Sequence, residues 1–311
     1  MDETTKWHGK RYYSLDAYLK NTYGKKFKKI SIDAGFTCPN RDGTLDTRGC
    51  IFCSAGGSGD FALPYGSITA KEPYIAYFQA YTCTYAPVGS LDKIYRSALE
   101  DPLVTGISIA TRPDCLPPEV LSLLSVLKAD YPGKFIWIEL GLQTIHEKTA
   151  NYIRRGYPLD CFSHAMQQLH DLEIPVIAHI ILGLPGENET MMLQTIDYLN
   201  AVSVFGVKLQ LLHILRDTDL ALDYEQGLFS ALSMDGYLGL LISCIRRLSP
   251  DTVIHRVTGD GPKELLVAPL WSREKKKVLN SLHHRMKLEN AYQGKDWKGI
   301  DDYDARTFDA L

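Results

Sequence analysis

The sequence predicts an α/β fold: a partial parallel (β/α)6 barrel with a small C-terminal α/β extension. Three observations carry that expectation. Short apolar runs rich in Val and Ile alternate with stretches whose apolar residues recur at three and four positions, the pattern of repeated strand-helix units. Polar residues gather directly after these runs, where a parallel barrel exposes the C-terminal ends of its strands. The chain has 311 residues, 45% hydrophobic and 23% charged, enough to bury one large core and carry a smaller appended piece.

Residues 1–28 form a basic and aromatic N-terminal segment. Between residues 6 and 30, Lys6, Lys10, Arg11, Lys20, Lys25, Lys26, Lys28 and Lys29 face only Asp16 and are interleaved with Trp7, Tyr12, Tyr13, Tyr18, Tyr23 and Phe27. Cations among aromatic rings suit phosphate contact and base stacking; the competing reading is a solvated helix face with its rings packed inward. The barrel is expected over residues 29–215, with strands at "KISIDA" (29–34), "YIAYF" (74–78), "GISIA" (106–110), "FIWIEL" (135–140), "VIAHIIL" (176–182) and "VKLQLL" (207–212). The helical segments "SLDKIYRSALED", "PPEVLSLLSVLKAD", "LDCFSHAMQQLHDLE" and "ENETMMLQTIDYLNAV" separate them. Residues 216–311 read as the extension: a long helix, the apolar runs "TVIHRV" and "ELLVAPLW", a second basic stretch from Arg273 to Lys298, and an aperiodic tail from Gly294 expected to be mobile.

Net charge is −3 and excludes little. The longest apolar runs fall short of the roughly 20 residues that span a bilayer, and the start lacks the apolar centre of a signal peptide, so a cytoplasmic protein without membrane contact is expected. Seven cysteines, an odd number with three close together, fit metal chemistry in a reducing compartment better than a disulfide framework.

Those three are Cys38, Cys50 and Cys53, in "CPNRDGTLDTRGCIFC" after the first strand. A structural zinc site wants four protein ligands, and no further Cys or His lies near in sequence. An iron-sulfur cube held by three thiolates instead leaves one iron open to chelate the amine and carboxylate of S-adenosylmethionine, whose reductive cleavage gives a 5'-deoxyadenosyl radical.

A three-cysteine loop after the first strand of a partial barrel resembles the radical S-adenosylmethionine (radical SAM) superfamily, and the wide first spacing resembles its branch containing the catalytic subunit of Elongator. The segments "DAGFTCPNRDGT", "GCIFCSAGGSGDF", "YFQAYTCTYAP", "ATRPDCL", "ELGLQTIHEKTA", "RRGY", "HIILGLPGE" and "APLW" are similar to the YtqA-type bacterial family within that branch. The resemblance implies a [4Fe-4S] cluster on Cys38, Cys50 and Cys53, with S-adenosylmethionine beside it. It implies that Phe52 packs by the adenine, that Gln79 meets the methionine amino group, that Gln143 reaches the ribose and that "GLPGE" holds the adenine through its backbone. Arg112 is the residue expected to meet a substrate carboxylate, although Arg112 and Asp114 can equally pair with each other. Implied partners are an electron donor such as flavodoxin or ferredoxin and a transfer RNA anticodon loop. The implied reaction is removal of the carboxymethyl group from 5-carboxymethylaminomethyluridine at the wobble position, without the acetyl transfer of Elongator. Alternatives are a radical enzyme for a small metabolite or peptide, and a non-catalytic iron-sulfur or zinc protein that binds RNA.

Other residues have plainer readings. Cys83, Cys115, Cys161 and Cys244 read as small core residues, with Cys83 standing where the family pattern leads one to expect Asn. His179 reads as a satisfied core histidine. The link from Phe61 to Lys71 is short of a helix that the family pattern leads one to expect, so either one side of the barrel is thinly covered or a segment is missing between Thr69 and Ala70.

Overall fold

The apolar runs are strands. In the computed structural model, which describes residues 6–259 and 261–299, they appear as β1 (Lys28–Asp33), a short β2 (Leu63–Pro64), β3 (Tyr74–Phe78), β4 (Val104–Thr111), β5 (Phe135–Gln143), β6 (Val176–Leu182) and β7 (Gly206–Leu211), followed by β8 (Ile214–Leu215), β9 (Val253–Arg256) and β10 (Leu266–Ala268). All but β8 and β10 form one sheet in the order β2-β1-β3-β4-β5-β6-β7-β9, paired in parallel throughout. β8 and β10 pair antiparallel outside it.

The sheet is strongly curled. β3 and β7 stand four places apart in it, about 19 Å if flat at ~4.8 Å per strand, yet the Lys208 Nζ donates to the Tyr77 hydroxyl at 2.8 Å. Only a sheet rolled about an axis brings those side chains together, and the result is the expected partial barrel. Strand alternation then divides the residues. Ile107, Ile109, Ile138, Leu140, Ala178, Ile180, Val207 and Leu209 pack outward under the helices. Those helices are Val88–Glu100, Pro118–Asp130, Leu159–Asp171 and Glu189–Ala201. The alternate positions point into the barrel.

Two sequence expectations need correction. First, "TVIHRV" belongs to the barrel sheet: β9 pairs with β7, so no break in the sheet falls at residue 215. The outer edge of β7 has unpaired backbone groups, and a parallel neighbour satisfies them. The second concerns the N-terminal segment. Helix α1 (Leu15–Tyr23), capped by Ser14, closes the barrel at the N-terminal ends of the strands. Leu19 is fully buried against Ile75, Trp137 and Ile177, and Tyr18 meets Trp137 and Phe205 edge to face. Trp7 is also fully buried. The rings thus form the barrel's floor, and burying each one contributes on the order of 4–6 kcal/mol of transfer free energy. The inward-packed reading of this segment holds, and Lys25, Lys26 and Lys28 are exposed at the closed end.

Beginning and end of the chain are tied across this floor. Ser14 bridges Ile254 of β9, and the Gln293 side chain accepts from the Tyr13 amide at 2.8 Å while donating to the Ser249 and Thr252 carbonyls. Of the tail expected to be mobile, residues 300–311 lie outside the described residues. Its described part is docked: Asp296 pairs with Arg246 at 2.8 Å.

No helix lies between β2 and β3 among the described residues. Phe61, Leu63 and Tyr65 are exposed there, so this side of the barrel is indeed thinly covered.

Candidate active site at the cysteine loop

The loop after β1 is fixed mainly by its own backbone and by two side chains. Asn40, 2% exposed, donates to the Arg154 carbonyl at 2.8 Å and lies 3.5 Å from the Cys50 sulfur. Arg41 donates to the Cys53 and Ser54 carbonyls at 2.9 and 2.6 Å. The "RRGY" segment is the loop's wall. Arg155, 1% exposed, satisfies the Leu142, Thr144 and Tyr157 carbonyls and pairs with Glu147. Gly156 has φ +81°, and a Cβ there would meet Asn40 Oδ1 at 2.7 Å, so only glycine lets the wall approach the loop.

Cys38, Cys50 and Cys53 are free thiols, partly exposed, on the rim of one open cavity. No fourth cysteine lines it among the described residues. Nor do three Cys, His, Asp or Glu side chains among the described residues converge closely enough to hold a single metal ion. Three thiols spaced around a hollow suit the corners of a polyatomic cluster better than one tetrahedral ion. Burial raises the Cys50 thiol to about 12 and also raises Cys53, where Arg41 opposes it, so the thiolates need a cation's charge to form.

The other residues singled out in the sequence line the same cavity: Phe52, Gln79, Arg112 and Gln143. Phe52 packs at its edge with the apolar group around Ile51, Ile153 and Ile181. Gln79, just past β3, donates to the Ser58 carbonyl and accepts from Ser31. Gln143 ends β5 in left-handed backbone, φ 61°, with its side-chain Oε1 accepting from the Tyr157 hydroxyl. "GLPGE" turns directly after β6, with Gly183 and Gly186 both at positive φ.

Arg112 differs from the expectation. It is 7% exposed and its fork is already taken by Asp114, at 2.9 and 2.6 Å, with a further bond to the Arg155 carbonyl and Tyr157 beneath it. Two residues apart and both at the strand end, the pair satisfies itself, so the geometry does not offer this guanidinium to a ligand. Cys83, Cys115 and Cys244 are buried as expected, whereas Cys161 is only partly so.

Sequence reasoning missed the barrel's interior. Glu139, 1% exposed, accepts from Lys29, Lys208, Ser108 at 2.6 Å and His179 at 2.6 Å. Burial pushes this carboxyl up, but Lys208, Lys29 and His179 outweigh it and hold it well below the usual carboxylate range. His179 is pushed down to about 4 by burial and by Lys208, so it meets Glu139 as a neutral donor. It is satisfied, as expected, and it also lines the cavity, together with Tyr77, Lys208 and Arg256. The signal was available: Glu139 and Lys208 sit inside the largely apolar runs "FIWIEL" and "VKLQLL", and Lys29 opens "KISIDA".

Comparison with known proteins agrees with this geometry. The Radical SAM superfamily profile matches residues 47–199, and the Radical_SAM C-terminal domain matches residues 204–288. The chain is 40% identical to the uncharacterized protein YtqA of Bacillus subtilis, over 95% of this chain and 96% of that one. It is 36% identical to protein YhcC of Escherichia coli K12, over 81% and 85%. Elongator complex protein 3 of Schizosaccharomyces pombe is 22% identical over 81% of this chain and 57% of its own. Among solved structures, the archaeal Methanocaldococcus infernus Elp3 superposes with a TM-score of 0.61 at 16% identity, over 72% of this chain. Coproporphyrinogen III oxidase of Escherichia coli superposes with a TM-score of 0.50 at 12% identity, over 76%. The chain spans 56% of each of those two structures, and the likeness shows the fold. With its three-thiol cavity, its curled parallel sheet and relatives matched over nearly its full length, this chain belongs to the radical SAM superfamily, in the Elongator-like branch that includes YtqA.

Proposed function

We propose that this radical SAM enzyme acts on the wobble uridine of transfer RNA, trimming 5-carboxymethylaminomethyluridine to 5-aminomethyluridine, with Cys38, Cys50 and Cys53 holding its [4Fe-4S] cluster. The observation that carries the reading is the convergence of the thiols, Phe52, Gln79 and Gln143 on one cavity whose floor is lined with cations. The cluster and S-adenosylmethionine supply a radical able to take hydrogen from unactivated carbon, once an electron donor such as flavodoxin or ferredoxin has reduced the cluster. The chain's residues do the holding. Asn40 and Arg41 keep the thiols at the rim, Gln79 and Gln143 offer amide groups to the methionine and ribose, and Phe52 gives the adenine an apolar face.

Support for transfer RNA comes from the Elongator-like kinship and from Lys263, Arg273 and Lys275, which line a groove sharing His213, Gly259 and Gly261 with the hollow beside Phe52 and Gln79. The lysines of the N-terminal segment lie at the opposite end and do not support it. That placement favours the second reading, a small carboxylate-bearing metabolite or peptide. Nucleoside analysis of transfer RNA from a deletion strain decides between them. The transfer RNA reading expects 5-carboxymethylaminomethyluridine to accumulate and 5-aminomethyluridine to vanish, with rescue by the wild type and none by Cys50→Ala. An unchanged nucleoside profile refutes it.

A further inference from the structure

We infer that Lys208, on the cavity floor, receives a carboxylate of the substrate. Lys29 and Lys208 share one carboxylate, Glu139, so two buried amines meet a single counter-charge; burial, with Lys29 and Arg256 nearby, lowers Lys208, and an arriving anion favours its charged form. The two ammoniums differ in what they face. Lys29 lies over the Tyr77 and Trp137 rings, toward the barrel floor, and does not line the cavity. Lys208 lines it, 4% exposed, beside Arg256 on the neighbouring strand. An ammonium has three N–H donors. Glu139 and Tyr77 take two of those on Lys208, and the third has no partner among the described residues. A buried amine with too little counter-charge and a spare donor is costly to keep charged by itself, and that cost is offset when an anion arrives. The arrangement therefore selects a substrate whose reacting end carries an acid group, with its neighbouring carbon held above the floor and toward the cysteine rim.

This rests on the proposed function only for the choice of probe, N-methylglycine, which reproduces the tip of the carboxymethylamino group. Calorimetric titration of the reconstituted holoenzyme with S-adenosylmethionine present is expected to detect millimolar binding of N-methylglycine and none of dimethylamine, which lacks the acid. Lys208→Met should weaken that binding roughly tenfold or more, the worth of one charge-assisted hydrogen bond. It should also melt no lower than the wild type, because Glu139 keeps Lys29 as a one-to-one partner. A merely structural lysine would lower the melting temperature. Absent or equal binding of the two probes, unchanged binding by Lys208→Met, a lower melting temperature in that variant, or tighter binding of methyl phosphate would each overturn the assignment. The readout needs no RNA, so a failed transfer RNA reading leaves the carboxylate receptor standing, and a failed receptor leaves the nucleoside test intact.

Discussion

Replacing Glu139 with Gln keeps the side chain's shape and removes its charge. The carboxylate accepts from four donors on four strands, Lys29, Ser108, His179 and Lys208. An amide has one accepting oxygen, so its NH2 must face one of the lysines. Two buried ammoniums then have no counter-charge, a loss of roughly 3–5 kcal/mol for a broken buried pair. At ~1.5–2 °C per kcal/mol for a chain of this size, the melting temperature near neutral pH should fall by roughly 5–10 °C. The pH dependence gives the argument its sign. The folded carboxyl is depressed, so its contribution in the wild type is fully present above its unfolded value of about 4.3 and is lost as pH falls through the folded value. The lysines run the other way: burial lowers both, so stability is regained as pH rises through their folded values toward about 10.4. Thermal melts of both proteins between pH 5 and 10 should show a deficit that is largest near neutrality and shrinks in alkali. Equal melting temperatures, or a deficit that does not shrink by pH 10, would refute the account of a barrel interior held by charge.

Three further outcomes are expected. Cys38→Ala, Cys50→Ala or Cys53→Ala should each lose iron, visible absorbance and S-adenosylmethionine cleavage, while Cys161→Ala and Cys244→Ala keep their iron content; iron loss in Cys244→Ala would contradict the assignment of ligands. Arg112→Lys gives up the two-point contact with Asp114, so it should cost about 1.5–3 kcal/mol in chemical unfolding and leave cofactor cleavage largely intact; lost cleavage at unchanged stability would restore Arg112 as a ligand-binding group. Neutralising Lys263, Arg273 and Lys275 should reduce the salt slope of transfer RNA binding by roughly 2–3, whereas neutralising Lys25, Lys26 and Lys28 should not; the reverse result would move the RNA to the barrel's closed end.

The strands were legible because a parallel strand covered on both faces reads as a continuous apolar run, and β3 and β6 begin and end where "YIAYF" and "VIAHIIL" do. β2 was not, since two residues, Leu63 and Pro64, carry no periodicity and become a strand only through the partner β1 provides. β9 was visible as "TVIHRV" but not as a barrel strand, because a run of letters does not say which edge it will pair with. The cysteine loop could be read because its chemistry is local. The interior charges could not be assembled: Lys29, Glu139 and Lys208 are far apart in sequence, and only the roll of the sheet makes them neighbours. Arg112 shows the converse, a strand-end arginine whose partner two residues on had already filled its fork.

The tie between Ser14 and Ile254 sets an order on the making of this protein. A nascent chain emerges N-terminus first, so the segment that seals the barrel floor leaves the ribosome before the strand on which it docks. Its docking strand lies 240 residues later. At about 5–20 residues per second, the seal waits roughly 12 to 48 seconds for its seat. Throughout that interval Trp7, Leu19 and the floor around Trp137 and Ile177 have no complete burial site. A segment made before its seat thus closes the barrel only after that seat is made, and the interval before closure is when a chaperone or a wrong partner would find these rings.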